Sequence, residues 1–174
     1  MEASTYILKF ISRCRMPACV LICGLALYVC RSASASTMND IPSRQKEIVE
    51  KFNNQEQWMD KMQLLIDFGR DYEPFDEEYK NDSNLVDGCS TRVWMFAVKN
   101  GDNLHYYGYT DSLVLNGILA VLFYVFNDSS TQNVLNASFY FIDRIGIKEH
   151  LSPTRCDDVN IIIAKFLSIA KSNQ

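Results

Sequence analysis

The apolar positions of the chain change rhythm several times, and each rhythm predicts an element. Ile48, Val49 and Phe52 recur at helical spacing behind Pro42, a residue suited to a first helical turn, so residues 42–54 read as a helix. Trp58, Met59, Met62, Leu65, Ile66 and Phe68 repeat that spacing over 56–69, where Gly69 reads as the stop. The pattern then breaks: RDYEPFDEEYKNDSN, residues 70–84, is acidic, rich in turn formers and longer than a connection requires. β-branched and aromatic character follows in TRVWMFAVK, 91–99. Asn-Gly at the turn and the returning NLHYYGY, 103–109, complete a hairpin. A lone hairpin is barely stable in water, so a third strand or a helical layer must cover it, and residues 84–87 are the candidate strand.

The next segment, DSLVLNGILAVLFYVF at 111–126, is apolar on nearly every side, which marks a helix buried at the centre with Thr110 or Asp111 as its cap. Short helices are expected at 130–136 and 138–145, the second stopped by Gly146. Ser152 and Pro153 open a final helix reaching about Lys171, with Val159, Ile163, Phe166 and Ala170 in one stripe. Helices, an antiparallel hairpin and helices again make one α+β domain over 42–174: a small antiparallel sheet of about three strands with helices on one face.

The first 35 residues stand apart. Lys9, Arg13 and Arg15 precede the continuous apolar run ACVLICGLALYV at 18–29, and small residues at 33–35 follow. That order is a secretory signal peptide, and the run is shorter than a spanning helix. Residues 36–41 are then a short linker or the remnant of a transit segment. The net charge of −4 hides a division, because the leader is basic whereas residues 36–174 carry 13 basic and 20 acidic side chains. An acidic body lacks the basic footprint that phosphate backbones demand, which argues against nucleic acid as a partner. A mature form without the leader has no stretch that would span a membrane.

Four of the six cysteines lie in the leader, leaving Cys89 and Cys156. With His105 and His150 they form no C-x2-C or H-x3-H pairing of the kind zinc sites use. No Gly-rich phosphate loop, H-E-x-x-H or G-x-S-x-G is present. The pointed feature is Gly88-Cys89 in LVDGCSTRVW, where a glycine bend meets the start of a strand. Three roles are open to Cys89: a small buried apolar residue, a nucleophile with His105 or His150 as its base, or a sulfur acceptor, which needs thiolate character but no strong base.

LVDGCSTRVWMF, GYTDSLVLNGILAVLFYVFN and GIKEHLSPTRCDDVNIIIAKF, in that order and spacing, resemble the SufE family of sulfur-transfer proteins, with a SufE/IscU-like fold, over about residues 42–172. The resemblance implies that Cys89 takes persulfide sulfur from a SufS-type cysteine desulfurase and stimulates that enzyme. It further implies delivery of the sulfur to a SufBCD-type scaffold for iron–sulfur cluster assembly. The pyridoxal phosphate belongs to the desulfurase, so no cofactor is expected in this chain. Gly88 matches the family's bend, Gly108 and Asp111 its Gly-Asp-Ser-Asp stretch, and His150 and Arg155 its late His and Arg. Arg155 would stabilise a thiolate or persulfide if it folded back on Cys89. Ser90, Thr91 and Arg92 depart from the family's Gln-Ser-Gln run, and Tyr109 stands at its first Asp.

A sulfur carrier behind a secretory signal implies a plastid of the apicoplast kind, reached through the secretory route, with a mitochondrion as the second placement. The competing reading is a secreted glycoprotein, with a Cys89–Cys156 disulfide and glycans on the sequons at Asn81, Asn127 and Asn136.

Overall fold

The computed structural model of the protein describes residues 40–174; the leader read at 1–35 and residues 36–39 of the linker lie outside them. Helix α1, Ile41–Asn53, begins where the Asp40 carboxylate accepts from the Ser43 amide at 3.1 Å. Helix α2 spans Trp58–Asp71 and helix α3 Leu113–Phe126. Ten of the fourteen residues of α3 are buried, which is why its sequence shows no polar face: α1, α2 and the sheet surround it.

Gly69 does not end α2. It lies inside the helix and is buried, because α2 and α3 meet backbone to backbone there. A Cβ on Gly117 would collide with the Leu65 carbonyl, and one on Gly69 would lie 2.7 Å from the Gly117 nitrogen. The Asn116 amide, the one polar side chain of α3 turned to this seam, donates to the Gly69 carbonyl at 2.9 Å.

Strands β1, Val93–Asn100, and β2, Asn103–Thr110, pair antiparallel from Val93↔Thr110 to Asn100↔Asn103. The connecting residues are Gly101 and Asp102, and only Gly101 has positive φ, +61°. That is the type II′ pattern rather than the type I′ turn that Asn-Gly suggests, and Asn100 pairs in the ladder instead. The sheet is three-stranded, in the order β1-β2-β3, but its third strand is not the expected 84–87. It is Ser129–Ser130, pairing with Leu104 and Asn103 of β2. Two serines carry no apolar alternation, so backbone pairing at an edge leaves no signal in the residue pattern. Residues 84–86 instead flank the opposite edge through the isolated Leu85↔Trp94 bridge.

One face of the sheet packs on helices. Tyr106 stacks on Phe166 of the last helix with 4.0 Å between ring centroids, and a Cβ on Gly108 would strike the Phe123 ring at 2.9 Å. The other face, carrying Phe96, Tyr107 and Tyr109, is covered by the long acidic segment. Tyr79 packs on Phe96 with centroids 4.5 Å apart, and the Lys80 ammonium lies 3.7 Å over the Tyr109 ring. The acidic segment, longer than a connection requires, is thus a second layer on the sheet.

Helices α4, Thr131–Asn136, and α5, Tyr140–Arg144, are short. Helix α6, Pro153–Ser172, starts at the expected Ser152 cap and crosses behind the sheet. Among the described residues no helix is long and apolar enough to cross a membrane.

Candidate functional site

Cys89 lies on a clasp, residues 87–92, between the Leu85–Trp94 bridge and helix α6. The base of the clasp is closed by the Val86 amide donating to the Val93 carbonyl and the Met95 amide donating to the Asn84 carbonyl, both at 2.8 Å. Gly88 has φ +88°, the left-handed region that a side chain resists, while a Cβ there would meet only Ile161 at an ordinary 3.6 Å. Conformation, not space, therefore requires glycine at this bend. Beyond it, Cys89 is half-buried at the rim of the core.

The tip of the clasp is held by the first turns of α6. Ser152 accepts from the Arg155 amide at 3.4 Å, and the helix so begun places Arg155 and Asp158 one turn apart on the side facing the clasp. The Asp158 carboxylate is 2% exposed. It accepts from the Ser90 amide at 2.7 Å, the Ser90 hydroxyl at 2.6 Å and the Arg155 guanidinium at 3.2 Å. The same guanidinium nitrogen donates to Thr91 Oγ1 at 2.9 Å. Cys89 Sγ lies 4.0 Å from the Asp158 carbonyl oxygen. Burial first, and the Asp158 charge second, push the Cys89 thiol up to about 11. These surroundings favour the neutral thiol over the reactive thiolate.

Of the residues singled out from the sequence, the structure brings Gly88, Cys89 and Arg155 together. Arg155 does fold back on the cysteine loop, but its partners are Thr91 and Asp158. Asp111 is exposed and pairs with Arg92 at 3.4 Å; it does not cap α3. That role falls to Ser112, whose hydroxyl accepts from the Leu115 amide, one residue later than expected. His150 stacks on Trp58 at the start of α2, with 3.9 Å between ring centroids. His105, on the outer face of the sheet, lies 2.9 Å from Asp128 and 3.5 Å from Glu73. Both imidazoles have other partners, and neither is hydrogen-bonded to Cys89, whose sulfur faces the Asp158 carbonyl. Among the described residues no group of three or more His, Cys, Asp and Glu side chains is arranged to hold a metal ion.

The disulfide reading finds no support. Cys89 and Cys156 are both free, and Cys156 Sγ is directed at the Lys148 carbonyl at 3.5 Å. The glycan reading fails at Asn127, whose buried amide accepts from the Tyr106 N–H at 2.8 Å and donates to the Tyr72 hydroxyl at 2.8 Å. A glycan there would take the donor that orders this junction.

Asp158 is the residue the sequence reading missed. Its signal was present: counting back in steps of four from Ala170 and Phe166 through Ile162 reaches Asp158, a carboxylate on the buried stripe of an amphipathic helix. A charge at such a position requires partners, and Ser90 and Arg155 are those partners.

Comparison with known proteins identifies the family of the chain. The chain is 26% identical over 121 residues to the cysteine desulfuration protein SufE of Wigglesworthia glossinidia brevipalpis, a match covering 68% of this chain and 83% of that one. The solution structure of a hypothetical protein from Thermus thermophilus superimposes with a TM-score of 0.63 at 16% identity, covering 75% of this chain and 95% of that one. This second likeness speaks to the fold alone. A family model described as SufE, Fe-S metabolism associated domain, matches residues 46–170, the clasp and the start of α6 included, and the chain belongs to that family.

Proposed function

We propose that the protein is a sulfur acceptor: Cys89 takes persulfide sulfur from a SufS-type cysteine desulfurase, stimulates that enzyme by emptying it, and delivers the sulfur to a SufBCD-type scaffold for cluster assembly. The observation that carries this reading is the placing of Cys89, on a glycine bend at the rim of the core, in a clasp whose tip is tied to α6 by polar bonds. The family membership supports it independently.

The transfer balances without an added oxidant. The Cys89 thiolate attacks the terminal sulfur of the desulfurase persulfide. The donor S–S bond breaks, a new S–S bond forms on Cys89, and the donor cysteine leaves as the thiolate. The proton given up by Cys89 ends on the leaving group or in solvent. The pyridoxal phosphate that creates the persulfide resides in the desulfurase.

The test mixes the protein with a cysteine desulfurase and free cysteine, then weighs the product. One added sulfur on Cys89 is the expected result. The Cys89→Ser chain should lose both the added sulfur and the stimulation while keeping its circular dichroism spectrum; full stimulation by that variant would overturn the reading.

The placement that fits the leader is a plastid of the apicoplast kind, reached through the secretory route, since a thiol carrier needs a reducing compartment. Residues 1–40 fused to a fluorescent protein should label the plastid in cells of the source organism. Mitochondrial labelling or secretion would overturn that placement.

A further inference from the structure

We propose that Asp158 is the positioning residue that latches the Cys89 clasp onto α6 and thereby governs how readily Cys89 accepts sulfur, an inference that rests on the acceptor reading above. Three donors converge on this one buried carboxylate. Two belong to Ser90, the residue directly after the cysteine, at 2.7 and 2.6 Å, and the third is Arg155 at 3.2 Å. Hydrogen bonds to a charged acceptor are roughly twice as strong as neutral ones. Arg155 adds a second tie through Thr91. Ser90 and Thr91 are two of the positions at which this chain departs from the family's Gln-Ser-Gln run, and their side chains are the ones that meet α6. The departures and Asp158 therefore make up one device.

The latch acts on the sulfur in two ways. It holds the thiol against the Asp158 carbonyl, away from an incoming persulfide. It also keeps a negative charge beside a group that must itself become negative. The charged groups around the thiol are few. Asp158 and Arg155 come from α6, with Arg155 paired to Asp158, while Asp87 and Arg92 on the clasp itself are exposed and Arg92 is turned to Asp111. Among the described residues no cation is left over to favour the thiolate in the closed clasp. Opening the clasp removes Ser90 from Asp158 and the sulfur from the carboxylate in the same movement, so release and activation are one event.

The test follows iodoacetamide alkylation of Cys89 by peptide mass mapping from neutral to alkaline pH, together with sulfur loading by a cysteine desulfurase. Asp158→Asn keeps an acceptor oxygen for the Ser90 amide and removes the charge. With the thiol near 11 in the native protein, thiolate at pH 7 is on the order of one molecule in 10⁴. Each unit of fall multiplies it about tenfold. The Asp158→Asn profile should therefore move to lower pH and its sulfur loading at neutral pH should rise several-fold. Coincident profiles for the folded variant and the native chain overturn the latch. If Asp158→Asn fails to fold, Ser90→Ala carries the test: it should speed alkylation several-fold at fixed pH, and an unchanged rate overturns the proposal. The acceptor reading fails separately, when the native chain takes up no sulfur although the Asp158→Asn profile has shifted.

Discussion

Helix α6 presents one stripe with two kinds of contact. Ile162, Phe166 and Ala170 form its carboxy-terminal part, all fully buried, and Phe166 alone stacks on Tyr106 and packs beside Phe126 and Phe139. The next position back along the same stripe is Asp158, equally enclosed but bonded to a serine and an arginine. The apolar half gains free energy in proportion to the area it hides, and gives it up gradually. The polar half depends on direction and completeness: three donors satisfy the carboxylate, and losing one leaves charge behind. A protein that must hold its core while releasing one loop has reason to use the first kind of contact for the fold and the second for the site.

The comparison can be broken from either half. Phe166→Ala empties the middle of the aromatic cluster and should lower stability by about 3–5 kcal/mol, read from the urea midpoint, while sulfur uptake per folded molecule stays the same. If uptake falls in step with stability, the two halves are not separable. Arg155→Ala removes one of the three donors and the tie to Thr91. Its cost should be smaller, about 1–3 kcal/mol, but Cys89 alkylation should quicken, which Phe166→Ala should not produce. Equal alkylation rates in these two variants would erase the distinction between the halves. Arg92→Ala breaks the exposed pair with Asp111 at the edge of the clasp and should change stability by at most about 0.5 kcal/mol. A larger loss would mean that the clasp is anchored on its outer side as well.

Alkaline pH sharpens the same contrast. The folded protein keeps the Cys89 proton to about 11, above the ordinary thiol range, because of burial and the Asp158 charge. Burial raises Tyr106, on the apolar half, as well. A raised acid of this kind holds its proton longer in the folded state than in the unfolded chain. Its contribution to stability is complete below the ordinary value and declines as pH climbs from there towards the folded one. Urea midpoints should therefore fall as pH rises past the ordinary thiol value, and less so for Cys89→Ser. An identical slope in that variant would show that the closed clasp does not hold the thiol proton.

Much of the fold was legible in the residue pattern because the signals were local. Pro42 and Pro153 at first helical turns and the β-branched and aromatic residues of β1 and β2 each reflect a conformational preference written within a few residues. The all-apolar run of α3 likewise announced a helix enclosed by the rest of the domain. Misreadings came where a residue served a distant partner. Gly69 looked like a helix stop and is a close-contact glycine, because its neighbour is Gly117, far along the chain. Asp111 looked like a cap, and Ser112 does that work. The third strand was invisible because two serines pair through their backbone alone.

The site divides along the same line. Gly88-Cys89 was readable because a left-handed bend before a thiol is a property of two adjacent residues, and the family motifs named Arg155 without fixing where it would fold. The Asp158 anchor was decided only in three dimensions. Nothing near Ser90 in the chain says that a carboxylate some seventy positions later will receive its amide and hydroxyl; that depends on where α6 lies once its apolar stripe has packed against the sheet. Local conformational preference is carried by the chain itself. The partner of a buried charge is chosen by the tertiary fold, because the penalty for leaving that charge alone arises only when water has been excluded.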